Sequence, residues 1–155
     1  MAPTRELCQF QNRYGRSIMT EITDNLKIWL MQHQPDDFRW GWTDCNTYIV
    51  EYVDWLTDSN IINEVRGKYF DARSAFKFTR DYKQLDVGVE EAGFEQVEEP
   101  ATGDIVTYAK KGFVCGHIVA YDYVHSMDVD YGYMCVPVDR INWEDPDIKI
   151  WRHNG

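Results

Sequence analysis

The strongest constraint on this chain is a stripe of apolar side chains: Cys45, Tyr48, Ile49, Tyr52, Val53 and Leu56, at i, i+3, i+4, i+7, i+8 and i+11. At 3.6 residues per turn these positions share one helix face, and so apolar a face must be covered by another element. Thr43 and Asp44 stand just ahead of the stripe, where a short oxygen-bearing side chain can accept from the first unpaired N–H groups of a helix. The pattern predicts a helix from near Asp44, with Cys45 as its first residue. Beyond residue 100 the apolar period shortens to two: GDIVTYA, FVCGHIVAY, YGYMCVPV and IKIWR are rich in β-branched and aromatic residues and punctuated by Gly, Asp and Pro. Helices first and strands second predict an α+β fold in which N-terminal helices pack on a small antiparallel β-sheet.

Other helices are legible around the stripe. TDNLKIWLMQHQ has Thr23 or Asp24 as N-cap, an apolar face of Leu26, Trp29 and Leu30, and Pro35 to stop it. NIINEVRGKY predicts a short helix, DARSAFKFTRDY another capped by Asp71, and LDVGVEEAG a fifth ended by Gly93. IKIWR reads as a closing edge strand with Trp151 anchored inward. The chain has 155 residues, 44% of them hydrophobic, which suits one domain with one core. Residues 1–19 carry Arg5, Arg13 and Arg16 against Glu6 and read as a basic arm or extension; residues 20–155 form the single domain.

The formal net charge is -10. An acidic body repels a phosphate backbone, so nucleic acid is not an expected partner. The longest apolar runs, such as Ile28–Met31, are far too short for membrane insertion, and no apolar signal-peptide region opens the chain. The expected place of synthesis is a cytoplasm, with Cys8, Cys45, Cys115 and Cys135 initially reduced.

The chemistry centres on Cys45. Unpaired N–H groups and the positive end of the helix dipole favour a thiolate at a helix start. The stripe also turns Cys45 toward the sheet, one of whose strands carries His117 in CGHIVAY. A thiol facing an imidazole is what a cysteine nucleophile needs; a buried, inert cysteine is the plainer alternative. Cys115, His117, His125 and Cys135 have ligand chemistry but lack the paired spacing of a zinc site. No metal and no cofactor is expected. Glu90, Glu91, Glu98 and Glu99 read as a solvated face. Trp40 and Trp42, ahead of the cysteine, are candidate stacking surfaces for a substrate.

The order WG…DC at a helix start, then a GD strand, then a GH strand, resembles the NlpC family of papain-like cell-wall peptidases. Within it, WGWTDCNTYIVEYV, VRGKYFDARSAF and ATGDIV look like small phage proteins encoded among tail genes, relatives of that family. The resemblance implies a papain-like fold with Cys45 as nucleophile, its N–H in the oxyanion hole, His117 as general base, and Gly103–Asp104 as a structural turn. His125 matches the third catalytic residue. Asp139 is the geometric alternative, since a hairpin about Asp128 would bring it opposite His117. Three positions depart from the family pattern: Asn46 replaces a small residue, Phe38 a tyrosine, and Trp42 a glycine. The implied function is amide hydrolysis in peptidoglycan stem peptides through a thioester, by a protein of the phage tail made in the host cytoplasm, with other virion or tail proteins as partners. The alternative is a catalytically silent structural tail component on the same fold.

Overall fold

The computed structural model describes residues 21–153, and side chains from residue 25; the predicted basic arm, 1–19, lies outside the described residues. Five helices come first: α1 (Glu21–Gln32), α2 (Cys45–Thr57), α3 (Ile62–Val65), α4 (Ala72–Asp81) and α5 (Leu85–Glu91). Six strands follow: β1 (Phe94–Val97), β2 (Ile105–Lys110), β3 (Phe113–Ala120), β4 (Tyr123–Asp128), β5 (Gly132–Pro137) and β6 (Ile148–His153). They form one antiparallel sheet in the order β1-β6-β2-β3-β4-β5. The fold is α+β, with helices packed on one face of the sheet.

The helix caps follow the sequence closely. Asp44 caps α2 and Asp71 caps α4, each in a reciprocal pair with the residue three on, Thr47 and Ser74. The expected cap of α1 differs: Thr23 and Asp24 lie inside the helix, which spans Glu21–Gln32. The helix over NIINEVRGKY shrinks to four residues because Arg66 turns extended and Gly67 N–H bonds the Gly41 carbonyl at 2.8 Å.

β6 corrects a second expectation. It lies inside the sheet, paired with β1 on one side and β2 on the other. The outer strand β1 has the sequence FEQV, two of its residues exposed polar side chains, so its apolar pattern is faint. Trp151 of β6 does point inward, 3% exposed, with its indole N–H donating to Thr107 Oγ1 at 2.9 Å.

The core lies between the helices and the sheet, where Leu30, Ile49, Tyr52, Ile105 and Ile118 are buried. On the other face, Val106, Val119, Val124 and Ile150 are covered by Val138, Ile141 and Trp143. The Gly103–Asp104 turn is structural. Asp104 is buried and takes the Arg152 guanidinium at 2.9 and 2.8 Å, while the Tyr52 hydroxyl donates to the Gly103 carbonyl at 2.7 Å.

Helices approach the sheet closely at Gly116. A Cβ there would stand 2.4 Å from Ile49 Cγ1 of α2 and 2.6 Å from Leu85 Cδ2 of α5. Both atoms belong to buried core side chains, which have little room to retreat. Gly116→Ala is therefore expected to lower stability by about 1–3 kcal/mol through overpacking. Urea unfolding of wild type and variant measures it; an unchanged midpoint would mean that α2 does not rest on β3 as described.

Candidate functional site

The turn ahead of α2 is built to deliver Cys45. Arg39 and Thr43 bridge across WGW, with Thr43 N–H donating to the Arg39 carbonyl at 2.8 Å. Gly41 sits at φ +83° with the Tyr69 carbonyl oxygen only 2.1 Å from where a Cβ would be, so no other residue fits. The Asp44 carboxylate is fully buried and accepts from Gly41 N–H at 2.7 Å, Asn46 N–H at 2.9 Å and Thr47 N–H at 2.8 Å. Burial raises its pKa, and these hydrogen bonds, with one from Tyr69, oppose the rise. Asn46 Nδ2 reaches the Tyr69 hydroxyl at 3.4 Å.

Cys45, the first residue of α2, is 6% exposed. Cys115 and Gly116 of β3 are its neighbours. Cys45 and Cys115 are the free thiols among the described residues. The helix start was expected to favour a thiolate at Cys45, and the structure corrects this. The bond to Cys115, burial, and the charge of Asp44 together hold the Cys45 pKa well above the ordinary thiol value. Cys115 moves the other way, lowered chiefly by the Cys45 S–H that donates to it and also by nearby Lys110.

β3 and β4 pair only from Ile118↔His125 to Ala120↔Tyr123. Beyond that pair the Gly116 carbonyl accepts from Ser126 Oγ at 2.6 Å instead. His117 pairs with Val106 across β2 and so leaves the strand on the side opposite Gly116. Burial drives its pKa down to about 4, against a hydrogen bond with the Val106 backbone. Its Nδ1 is buried with no hydrogen-bond partner.

The structure thus joins Cys45 to Cys115 and Gly116, one residue short of His117, and forms no hydrogen bond from His117 Nδ1 to Cys45. It does not bring His125 to His117. His125 opposes Ile118 on the helix-facing side, with Nδ1 at 2.6 Å from the Tyr133 hydroxyl and Nε2 at 3.0 Å from the Ala120 carbonyl. Asp139 is exposed in a 3-10 turn after β5. The strand opposite His117 is β2, through Val106. Among the described residues no group of three or more His, Cys, Asp or Glu side chains is arranged to hold a metal ion, and no helix is long and apolar enough to cross a membrane.

The two tryptophans part ways. Trp42 is exposed, with the Arg39 guanidinium over its ring at 5.4 Å. Trp40 is half-buried between Phe38, at 4.8 Å, and Phe113, at 6.3 Å, both edge-on. Phe113 stacks in turn on Phe76 of α4 at 5.0 Å. Sequence reasoning weighed Cys115 only as a metal ligand and left Tyr69 unassigned. The available signal was position: Cys115 lies two residues from His117, and Tyr69 closes the RGKY motif.

Residues 19–143 match a domain family described as a domain of unknown function, DUF6950. The chain belongs to this family. No curated protein and no solved structure matches it. The DUF6950 span holds Asp44, Cys45, Cys115, His117, His125 and Asp139, while the inner strand β6 lies beyond it.

His125, buried, and His117, half-buried, give this DUF6950 domain a defined acid response. His117 and His125 both have folded pKa values of about 4, below the ordinary 6.5. Between those values the unfolded chain binds protons that the folded chain does not. Their contribution to stability is therefore present above pH 6.5 and lost as pH falls toward 4. Imidazole resonances of both rings are expected to stay in the neutral position down to pH 5; titration of either near 6.5 would show that its ring is not buried as described.

Proposed function

We propose that the chain is a thiol-dependent hydrolase on a papain-like, NlpC-type fold. It cuts amide bonds in the stem peptides of peptidoglycan and is carried among the tail proteins of a phage virion. The observation that carries this reading is the meeting of a helix-starting cysteine with the strand that bears a histidine whose Nδ1 has no hydrogen-bond partner. Asp44 spends its carboxylate on the N–H groups of Gly41, Asn46 and Thr47, so the Cys45 N–H stays outside the cap's own bonds. A backbone donor at the positive end of a helix suits the oxyanion of acyl transfer. His117 is neutral at physiological pH. With its other ring nitrogen donating to the Val106 backbone, Nδ1 offers a free lone pair.

Alternation along β3 puts Cys115 and His117 on the same side of the strand. Cys115 neighbours Cys45, and β4 has parted from β3 at this level. In the reaction, the Cys45 thiol leaves Cys115 and gives its proton to His117 as the sulfur adds to the amide carbon. An imidazolium beside a thiolate is an ion pair, which would raise the low proton affinity of the buried ring. His117 then protonates the leaving amine, and water hydrolyses the thioester to restore the thiol. For substrate, Phe76, Phe113 and Trp40 link the site to a cleft of about 600 Å³ on α4 lined by Phe70, Arg73, Lys77 and Arg80. Cations beside aromatics suit a carboxylate-bearing peptide.

A second reading has an observation of its own. The Cys45 thiol is tied to Cys115, and among the described residues no side chain hydrogen-bonds His117 Nδ1 to orient the ring. A silent site of that kind suits a structural tail component that keeps the fold. Digestion of purified peptidoglycan, read by mass spectrometry of released fragments, separates the two. The hydrolase reading expects release by the wild type, none by Cys45→Ala, and a loss of about 10²–10⁴-fold in His117→Ala. No release by folded wild-type protein from several wall types favours the structural component.

A further inference from the structure

We propose that the cavity between α2, α3 and α5 is a binding site for a short aliphatic molecule whose head group, an amine or an alcohol, donates a hydrogen bond. Beside the stripe of α2 that faces the sheet, Asn46, Val50 and Val53 recur at i, i+4 and i+7 on a neighbouring face of the helix. That face lines a cavity of about 160 Å³ together with Val65 of α3 and Leu85 and Val89 of α5. Val50, Val53, Val65, Leu85 and Val89 are all buried. An apolar cavity of about 150 Å³ admits a benzene-sized molecule, about six non-hydrogen atoms. Branching at Cβ stiffens the valines, so these walls do not readily swing in to fill the space.

Gly88, which also lines the cavity, stands in the middle of α5, where glycine weakens a helix relative to alanine. Its φ is not positive, and beyond its own helix a Cβ there would meet only the Lys83 side chain, at 3.6 and 4.0 Å. Neither conformation nor crowding calls for glycine at this position; its bareness leaves the cavity wall open. One acceptor in the wall lacks a partner. Gln84 Nε2 donates to the Gly112 carbonyl at 3.3 Å, while Gln84 Oε1 is buried with no hydrogen-bond partner. A buried acceptor of this kind is costly, and a ligand N–H or O–H supplies what it needs. The rim selects against the opposite head group. Glu64 accepts from the Tyr82 hydroxyl at 3.4 Å, Glu91 accepts from Lys83 Nζ at 2.6 Å, and Lys83 Nζ lies 5.0 Å from the centroid of the Tyr82 ring. Two exposed carboxylates against one ammonium leave the rim negative, which repels a carboxylate and accepts a neutral or cationic head. Neither Cys45 nor His117 lines this cavity, so the proposal is independent of the hydrolase reading.

The test is a titration of the full chain, followed by carbon–proton NMR of its methyl groups, with isopentylamine, isopentyl alcohol and isovalerate. The three share one branched tail and differ in the head. The expected result is saturable shifts at the methyls of Val50, Val53, Leu85 and Val89 with the amine and the alcohol, and binding of isovalerate weaker by about tenfold or more. Gly88→Leu, which places a side chain in the cavity, should abolish the shifts. Gly88→Ala adds a single methyl where there is room for it; it should raise the thermal midpoint and weaken binding of the amine severalfold, and it decides the matter if the leucine variant does not fold. Absence of saturable shifts with all three ligands, or shifts undiminished in the folded glycine variants, would overturn the proposal. Isovalerate binding as tightly as the amine would overturn its choice of head group. No arm involves peptidoglycan, so failure here leaves the wall-digestion result standing.

Discussion

The rest of the site depends on the bare backbone at Gly116. Because β3 has no side chain there, Ile49 of α2 and Leu85 of α5 settle directly on the strand. Cys45 lies one helical turn ahead of Ile49, so the same contact that seals the core carries the start of α2 to the middle of β3. Asp44 then fixes where the helix begins. A fully buried carboxylate is tolerated only when its oxygens are hydrogen-bonded, and the three N–H groups that bond it belong to the turn and to the first residues of the helix. Packing chooses the strand, and the cap chooses the residue.

Two opposed effects meet at the sulfur. The helix start favours a negative charge on Cys45, but its field falls off quickly and competes with burial. The buried Asp44 carboxylate beside the thiol adds a like charge, and Cys115 offers the Cys45 proton an acceptor that is more exposed and closer to Lys110. Burial and neighbours win, so the pKa of Cys45 is raised while that of Cys115 is lowered. That outcome makes removal of the Cys45 proton the first requirement of any hydrolysis through this sulfur.

Much of the fold was legible because it is written locally. The stripe from Cys45 to Leu56, the caps at Asp44 and Asp71, and the change of period after residue 100 each follow from side chains a few positions apart. Strand order is not local: IKIWR carries the same pattern at an edge or in the interior, and only pairing with β1 and β2 distinguishes them. The site divides in the same way. Cys45 at a helix start was readable from its neighbours. Its partnership with Cys115 was not, because it depends on where α2 crosses β3 and on β4 parting from β3 after Ile118. His125 matched a resemblance in sequence, but its place opposite Ile118 follows from a register that no short motif encodes.

The account of the site stands on the start of α2 lying against β3 in the folded chain, with Cys45 and Cys115 as neighbours. The most direct measurement is the binding of phenylarsine oxide, whose arsenic bridges two thiols only when they are neighbours, to the reduced native protein. The account predicts that Cys45→Ser and Cys115→Ser each bind one arsenic fewer per chain than the wild type. Equal uptake by all three folded proteins would contradict it, since the start of α2 would then not lie against β3 through these two side chains.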